Sequence, residues 1–587
     1  MTTSTPSTSR TDDAGRASAD GPSTEIRHGG APEGVDAHDW RRTAVVYQIY
    51  PRSFADANGD GIGDLPGITA RLGDLADLGV DAVWLSPFYT SPQADAGYDV
   101  ADYRDVDPLF GTLADFDALL ARTHELGMKL VVDLVPNHSS DEHRWFREAL
   151  AAAPGSPERE RYIFRDGSGP DGSLPPNNWP SMFRGPAWTR TTNADGTPGQ
   201  WYLHLFDTKQ PDWNWENPEI REEFLSILRF WLDRGVDGFR VDVANSMIKD
   251  QALPDVALDS DGHPAGHFTS PDGESEIEGA PSPYLDLDGV HEIYRSWRAV
   301  LDEYTPGRML VAEAWVQPLS RLALYVRPDE MDQAFNFDFL AAPWNAATLR
   351  EVISASMANN DSVGAPTTWV LSNHDVVRHA TRFGLKRAGG LHAGIRAVDD
   401  QPDAELGLRR ARAATLLMLA LPGSAYLYQG EELGLPEHTD LDDDLRQDPT
   451  WWRSGHTEAG RDGCRVPVPW EGDAPGAGFG PTGLTWLPQP AAYARLARDK
   501  QRGVPGSTLE MYTAALAARR EFQLGAGSLS WESTPGADAV ALRNGAIRVV
   551  CNTGSTPIPL PAGEVVLASV ELPGDGTLPG DAAVWVR

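Results

Sequence analysis

Gly238-Phe239-Arg240-Val241-Asp242 ends a short apolar run on a carboxylate, and the same grammar recurs at Val311-Ala312-Glu313-Ala314-Trp315 and at Ser372-Asn373-His374-Asp375. An apolar run that stops on an acid reads as a buried parallel strand handing a polar side chain to the loop that follows it. Arg240 lies two residues before Asp242, so on an extended strand both side chains leave the same face. An ion pair between them keeps Asp242 charged, provided that burial leaves neither group without partners.

Working outward, apolar strand candidates at 44–50, 80–85, 129–135, 309–313, 333–337, 367–371 and 425–428 join 238–242 to make eight. Helical spacing lies between several of them. Leu72, Leu75 and Leu78 precede Gly79, and Phe116, Leu119, Leu120 and Leu126 precede Gly127. Asn217-Pro218-Glu219 supplies a cap, a first-turn proline and an acid at the positive end of a helix whose core face is Ile220, Phe224, Ile227, Leu228 and Trp231. Eight strands alternating mainly with helices predict an α/β fold, a closed (β/α)8 barrel rather than an open dinucleotide-binding sheet.

The rhythm breaks after His138. A stretch rich in Pro, Gly, Asn and Trp carries the apolar anchors Trp201, Leu203, Leu205 and Phe206, which reads as a small inserted domain. The expected layout is a flexible leader over 1–39, barrel over 40–136, inserted domain over 137–212, barrel over 213–520 and a sandwich-like β domain over 521–587. The last rests on Val540, Leu542, Ile547, Val549, Val550, Val565 and Val566.

Across 587 residues, 85 acidic side chains face 50 basic ones, a formal charge of −35. That field repels nucleic acid and anionic membranes and suits a neutral substrate. Cys464 and Cys551 are the only cysteines, too few for a disulfide framework and read as free thiols. With no apolar run of membrane-spanning length and no secretory apolar core in the first residues, a cytoplasmic enzyme is expected.

Three acids delivered after barrel strands suit glycosidic cleavage, which needs a carboxylate near the anomeric carbon and a protonated carboxyl near the leaving oxygen. Asp242 is the candidate nucleophile and Glu313 the candidate acid/base. Asp375 is the third group, orienting hydroxyls and stabilising positive charge. Any one of these acids alone reads equally well as a cap, and composition does not separate hydrolase from glucosyltransferase. The loop Asp56-Ala57-Asn58-Gly59-Asp60-Gly61-Ile62-Gly63-Asp64 places oxygens at alternating positions. Asp56, Asn58, Asp60, Asp64 and the Ile62 carbonyl suit a structural Ca²⁺, or Mg²⁺, against the plainer reading of an acidic turn. No organic cofactor is expected.

Together with Asp133-Leu134-Val135-Pro136-Asn137-His138, the three acid-bearing stretches resemble, in order, the four major sequence regions of α-glucosidases in the α-amylase family of glycoside hydrolases, in particular actinobacterial intracellular ones. The resemblance implies the roles given above to Asp242, Glu313 and Asp375. It also sets Tyr98, Asp99, His138, Arg240 and His374 around the reactive glucose, with loop bracing or core packing as the alternative for Tyr98, Asp99 and the two histidines. Arg461-Asp462-Gly463-Cys464-Arg465-Val466-Pro467 resembles a further signature, in which Arg465, or else Arg461, partners Asp99. The acidic loop resembles the family's structural metal loop. Gln210-Pro211-Asp212-Trp213-Asn214 resembles a motif of small-oligosaccharide glucosidases, with Trp213 in place of the usual Leu.

The expected function is retaining exo-hydrolysis of terminal α-D-glucosyl groups of maltose and short maltooligosaccharides. α-1,4 bonds are placed ahead of α-1,6, for which Val243 can help shape the pocket. The alternatives are a trehalose or sucrose isomerase or glucosyltransferase on the same fold, and a non-catalytic binding subunit.

Overall fold

The computed structural model describes residues 28–32, 34–258, 282–386 and 394–587; the expected leader lies outside these up to residue 27. Eight strands form one parallel sheet: β1 (Val45–Ile49), β2 (Ala82–Leu85), β3 (Lys129–Leu134), β4 (Gly238–Val241), β5 (Met309–Ala312), β6 (Gln333–Ala334), β7 (Thr368–Val370) and β8 (Ser424–Tyr428). Neighbours run in the order β6-β5-β4-β3-β2-β1-β8-β7, and a parallel bridge from Phe335 to Thr368 joins the two ends. The sheet thereby closes on itself, and no edge is left to pair with another chain.

A barrel helix follows each strand, with shorter helices added in some connections: α1 (Leu65–Leu78), α2 (Leu113–Glu125), α3 (Pro218–Arg234), α4 (Val290–Leu301), α5 (Leu319–Leu322), α6 (Ala346–Asp361), α7 (Ala404–Leu419) and α8 (Thr508–Glu521). The expected (β/α)8 barrel is the observed fold. Caps set the helix ends where the sequence signals them. Asp64 accepts from Gly67 N–H at the start of α1, Thr112 and Asp115 form a reciprocal capping box on α2, and Asn217 accepts from Glu219 N–H ahead of Pro218. Gly235 closes α3 at φ 105° and turns the chain directly into β4. The sixth strand is shorter than expected because Asn336 leaves it to cap a new helical turn, accepting from Phe339 N–H at 3.0 Å.

Strand alternation divides the sheet's side chains. Val46, Ala82, Trp84, Val131, Met309, Val311, Phe335, Val370 and Tyr426 fill the barrel interior, while Tyr47, Val83, Leu130, Val132, Phe239 and Leu310 pack outward under the helices. The β domain uses the same rule. In its antiparallel sheet Leu542, Val549 and Trp585 join the main core, and the Trp585 indole donates to the Leu416 carbonyl of α7 at 3.0 Å. Val550, Val584 and Val586 face the other way, toward Ile558 and Leu578 of a small two-stranded ribbon.

Between β3 and α3 the chain forms a helix, Arg144–Ala151, and a three-stranded antiparallel sheet of Phe164–Arg165, Pro198–Leu203 and Trp188–Thr192. Its core of Ile163, Trp179, Trp188, Leu203 and Leu205 is shared with Leu253, Val256, Tyr284 and Leu285 from the connection after β4. That second contribution was absent from the sequence reading. A buried ion pair fastens the two connections: Lys249 Nζ lies 2.8 Å from Asp212 Oδ2 and donates to Asn137 Oδ1 and the Ser246 carbonyl, each at 2.6 Å. Burial pushes the Asp212 carboxyl up and the Lys249 ammonium down, and each charge offsets the other's shift. Among the described residues no helix is long and apolar enough to cross a membrane, and both cysteines are free and buried.

Breaking this pair from one side leaves a buried charge unmatched. Lys249→Met is expected to lower unfolding free energy by about 3–5 kcal/mol, and Lys249→Met with Asp212→Leu to recover part of that loss. Urea denaturation monitored by tryptophan fluorescence checks both; a single variant as stable as the wild type contradicts the assignment.

Candidate active site

Register puts Asp133 of β3 beside Arg240 of β4 and Arg240 beside Val311 of β5. Arg240 therefore reaches the C-terminal end of the barrel between two neighbouring strands. Its Nη1 donates to Asp133 Oδ1 at 2.9 Å and to Asp242 Oδ1 at 2.6 Å, and its Nη2 to Glu313 Oε2 at 2.7 Å. One buried guanidinium thus holds both candidate catalytic carboxylates and a third acid. Trp84 and Tyr98 donate to Asp133 Oδ2 at 3.1 and 3.2 Å, and the guanidinium lies over the Trp84 ring, 5.0 Å from its centroid.

The backbone adds a constraint. Val243, directly after Asp242, sits at φ 41°, a region costly for a β-branched residue. In that conformation its N–H donates to Glu313 Oε2 at 3.1 Å, and Ala244 N–H to the Glu313 carbonyl at 2.7 Å. Asp242 Oδ2 and Glu313 Oε1 accept no hydrogen bond among the described residues, which leaves one oxygen of each acid for chemistry. Burial pushes the Asp242 carboxyl well up, with the Arg240 cation opposing and the Glu313 and Asp133 anions reinforcing it. Asp133 is pushed up to about 7 by burial against the same cation. One cation facing three carboxylates in a dry site retains a proton near neutrality, shared within the group.

Asp375 has a different environment. Its Oδ1 accepts from Arg461 Nη1 and Arg465 Nη2, both at 3.0 Å, and its Oδ2 lies 3.1 Å from His374 Nε2. Burial opposes ionisation, but His374, Arg461 and Arg465 more than offset it and hold the carboxyl far below the ordinary range. Burial also keeps His374 neutral at pH 7, so the two arginines carry this effect there. The Tyr98 ring, beside Arg240 on one side, stacks on His374 at 5.2 Å and 6° on the other. It joins the two halves of the site. His374 Nδ1 meets Gln48 Nε2 at 2.7 Å.

The remaining expected contacts fall into place unevenly. His138 is buried and held neutral, its pKa pushed down to about 3 chiefly by burial, and it touches the Tyr98 carbonyl and Gln210 Nε2 at 3.2 and 3.1 Å. Asp99 accepts from Ala94 and Asp95 N–H at 2.8 and 2.9 Å, bracing the turn before it, and Arg465 pairs with Asp375 instead. The expected Asp99–Arg465 pair is therefore not formed. Asp99 sits in a turn containing Ala96 at φ 51° and Gly97 at φ 104°, which aims its carboxylate at its own backbone. Asp133, Asp95, Trp84 and Gln210 join the site beyond the residues expected from sequence. Asp133 had a signal, an acid inside the apolar run 129–135 and flush with Arg240.

The acidic loop folds on its own amides. Asp56 accepts from Gly59 and Gly61 N–H at 2.6 and 2.9 Å, Asp64 from Gly67 and Asn58 at 2.7 and 3.2 Å, Asn58 from Asp60 and Asp60 from Ile62, each at 2.8 Å. Among the described residues no three His, Cys, Asp or Glu side chains gather as metal ligands. The donor set of the loop, hard oxygens only, fits Ca²⁺ chemically.

Residues 48–526 match the family described as alpha amylase, catalytic domain. A probable alpha-glucosidase of Rhizobium meliloti is 42% identical over 497 residues, which are 82% of this chain and 83% of that one. Among solved structures, the alpha-glucosyl transfer enzyme XgtA superposes with a TM-score of 0.80 at 37% identity, covering 93% of this chain and 99% of that one. The trehalulose synthase MutB from Pseudomonas mesoacidophila MX-45 does so with a TM-score of 0.78 at 31% identity, covering 93% and 99%. A barrel that delivers Asp242, Glu313 and Asp375 to one end, within a match spanning most of the chain, makes this protein an enzyme of the α-amylase family, acting on α-glucosides.

Proposed function

We propose that the enzyme is a retaining α-glucosyl transferase or isomerase, which passes the glucosyl group of a small α-glucoside to a second sugar hydroxyl in preference to simple maltose hydrolysis. The single observation that carries the retaining chemistry is the Arg240 guanidinium shared by Asp242 and Glu313. A bridge that short suits the separation of about 5–5.5 Å that direct attack requires. Transfer over hydrolysis is supported by the likeness to an alpha-glucosyl transfer enzyme and a trehalulose synthase.

In the first step Asp242 Oδ2 attacks the anomeric carbon, the glycosidic C–O bond breaks, and Glu313 gives its proton to the departing oxygen. Arg240 opposes the upward push of burial on the attacking carboxylate, and Glu313, on the other arm of the same guanidinium, is placed as the proton donor. In the second step the Glu313 carboxylate takes the proton of an incoming hydroxyl, whose oxygen displaces Asp242 from the anomeric carbon. A sugar hydroxyl gives a new glucoside and water gives glucose. Asp375, held ionised by its arginines, orients sugar hydroxyls and offsets positive charge on the ring. Tyr98, His138 and His374 wall the glucose, Arg465 holds Asp375 beside it, and Asp99 braces the turn that carries Tyr98. Val243, half-buried directly after the nucleophile, bears on the choice between α-1,4 and α-1,6 bonds.

Incubation with sucrose, trehalose, maltose and isomaltose, followed by chromatography of free glucose and new disaccharides, tests this reading. New glucosides are expected from the first minutes; release of monosaccharides alone from every substrate would return the enzyme to plain hydrolysis. Asp242→Ala is expected to lose roughly 10³-fold or more of kcat/KM while keeping its thermal transition.

Asp56, Asn58, Asp60, Asp64 and the Ile62 carbonyl are proposed to bind Ca²⁺, with Mg²⁺ a weaker fit, as a staple of the loop after β1. Chelator is then expected to lower Tm and added Ca²⁺ to restore it; an unchanged Tm would leave the loop held by its amides alone.

A further inference from the structure

Arg461 reaches three carboxylates at once. Its Nε donates to Asp448 Oδ2 at 2.5 Å, its Nη1 to Asp375 Oδ1 at 3.0 Å and its Nη2 to Asp95 Oδ1 at 2.8 Å. These acids come from the connections after β8, β7 and β2. Asp448 and Asp95 are both buried, so neither is a surface partner of convenience. The other oxygen of Asp95 accepts from Gln210 Nε2 at 3.1 Å, and Gln210 touches His138. The Arg461 guanidinium also lies 5.0 Å from the centroid of Phe183 in the inserted segment. Three barrel connections and the inserted segment thus meet on one side chain beside Asp375.

We propose that Arg461 is a positioning residue that latches the rim of the pocket while it holds Asp375, and so sets how long a cleaved sugar is retained before water replaces it. The planar fork of arginine places donors toward three carboxylates at once, which the point charge of lysine does not. Arg465 already supplies a cation to Asp375 through the same oxygen. The distinctive contribution of Arg461 is the link outward to Asp95 and Asp448. The inference rests on the glucosyl-transfer reading and adds the group that controls its partition.

The test uses p-nitrophenyl α-D-glucoside as donor with D-fructose, which has no glucosidic bond to cleave, as acceptor. Nitrophenol counts cleavage, free glucose beyond the acceptor blank counts hydrolysis, and their difference counts transfer. In Arg461→Lys, which keeps a positive charge, and in Asp95→Ala, which cuts the link to the β2 connection, the transfer-to-hydrolysis ratio is expected to fall by about threefold or more, and by a larger factor than kcat for nitrophenol. Arg461→Gln is expected to lower kcat by about tenfold as well. Near-UV circular dichroism establishes that each variant is folded; if Arg461→Gln is not, the other two decide. Wild-type ratios in both would make Arg461 a fold staple and overturn the latch. Absence of transfer product from the wild-type enzyme would overturn the transfer reading and the latch together.

Discussion

A single buried cation organises this molecule's site. Arg240 has lost its water, and the enzyme tolerates that because Asp133, Asp242 and Glu313 surround its guanidinium at hydrogen-bond distance. Removing a carboxylate would strand part of the cation, and removing the cation would leave three acids repelling one another. The catalytic pair is therefore held together by a mutual electrostatic requirement, and the barrel supplies the frame that makes the requirement geometrically possible. Strand register brings Asp133 and Arg240 level, and the strained turn at Val243 swings an amide onto Glu313.

Two electrostatic regimes sit side by side. Around Arg240 negative charge is in excess, which retains a proton, as acid/base chemistry demands. Around Asp375 two arginines converge on one carboxylate oxygen, which keeps that acid ionised well below neutrality. Tyr98 and the neutral His374 separate the two regions with stacked, uncharged rings. A sugar entering between them meets a proton donor on one side and a fixed anion on the other.

The barrel was legible because its signals are local. Each strand is an apolar run of a few residues, six of the eight barrel helices carry a side-chain cap, and the catalytic acids stand at strand ends where the hydrophobic pattern stops. The rim was not legible. Asp95 and Asp448 lie in polar connections with no periodicity, and the partners of Asp95, Gln210 and Arg461, lie far along the chain. Asp99 misled for the same reason. The resemblance carried by the signature at 461–467 paired it with a distant arginine, whereas turn geometry brings it onto its own backbone. The connection after β4 escaped notice because its four apolar contributors, Leu253, Val256, Tyr284 and Leu285, are too widely spaced to form a run.

The central claim is that Asp242 bonds to the anomeric carbon while Glu313 moves the proton. Incubation with a 5-fluoro-α-D-glucosyl fluoride, which slows departure of the glucosyl group more than its arrival, followed by peptide mass spectrometry, tests it directly. The account predicts one fluoroglucosyl adduct, on the peptide containing Asp242. An adduct on another carboxylate, or turnover with inverted anomeric configuration and no adduct, would contradict it.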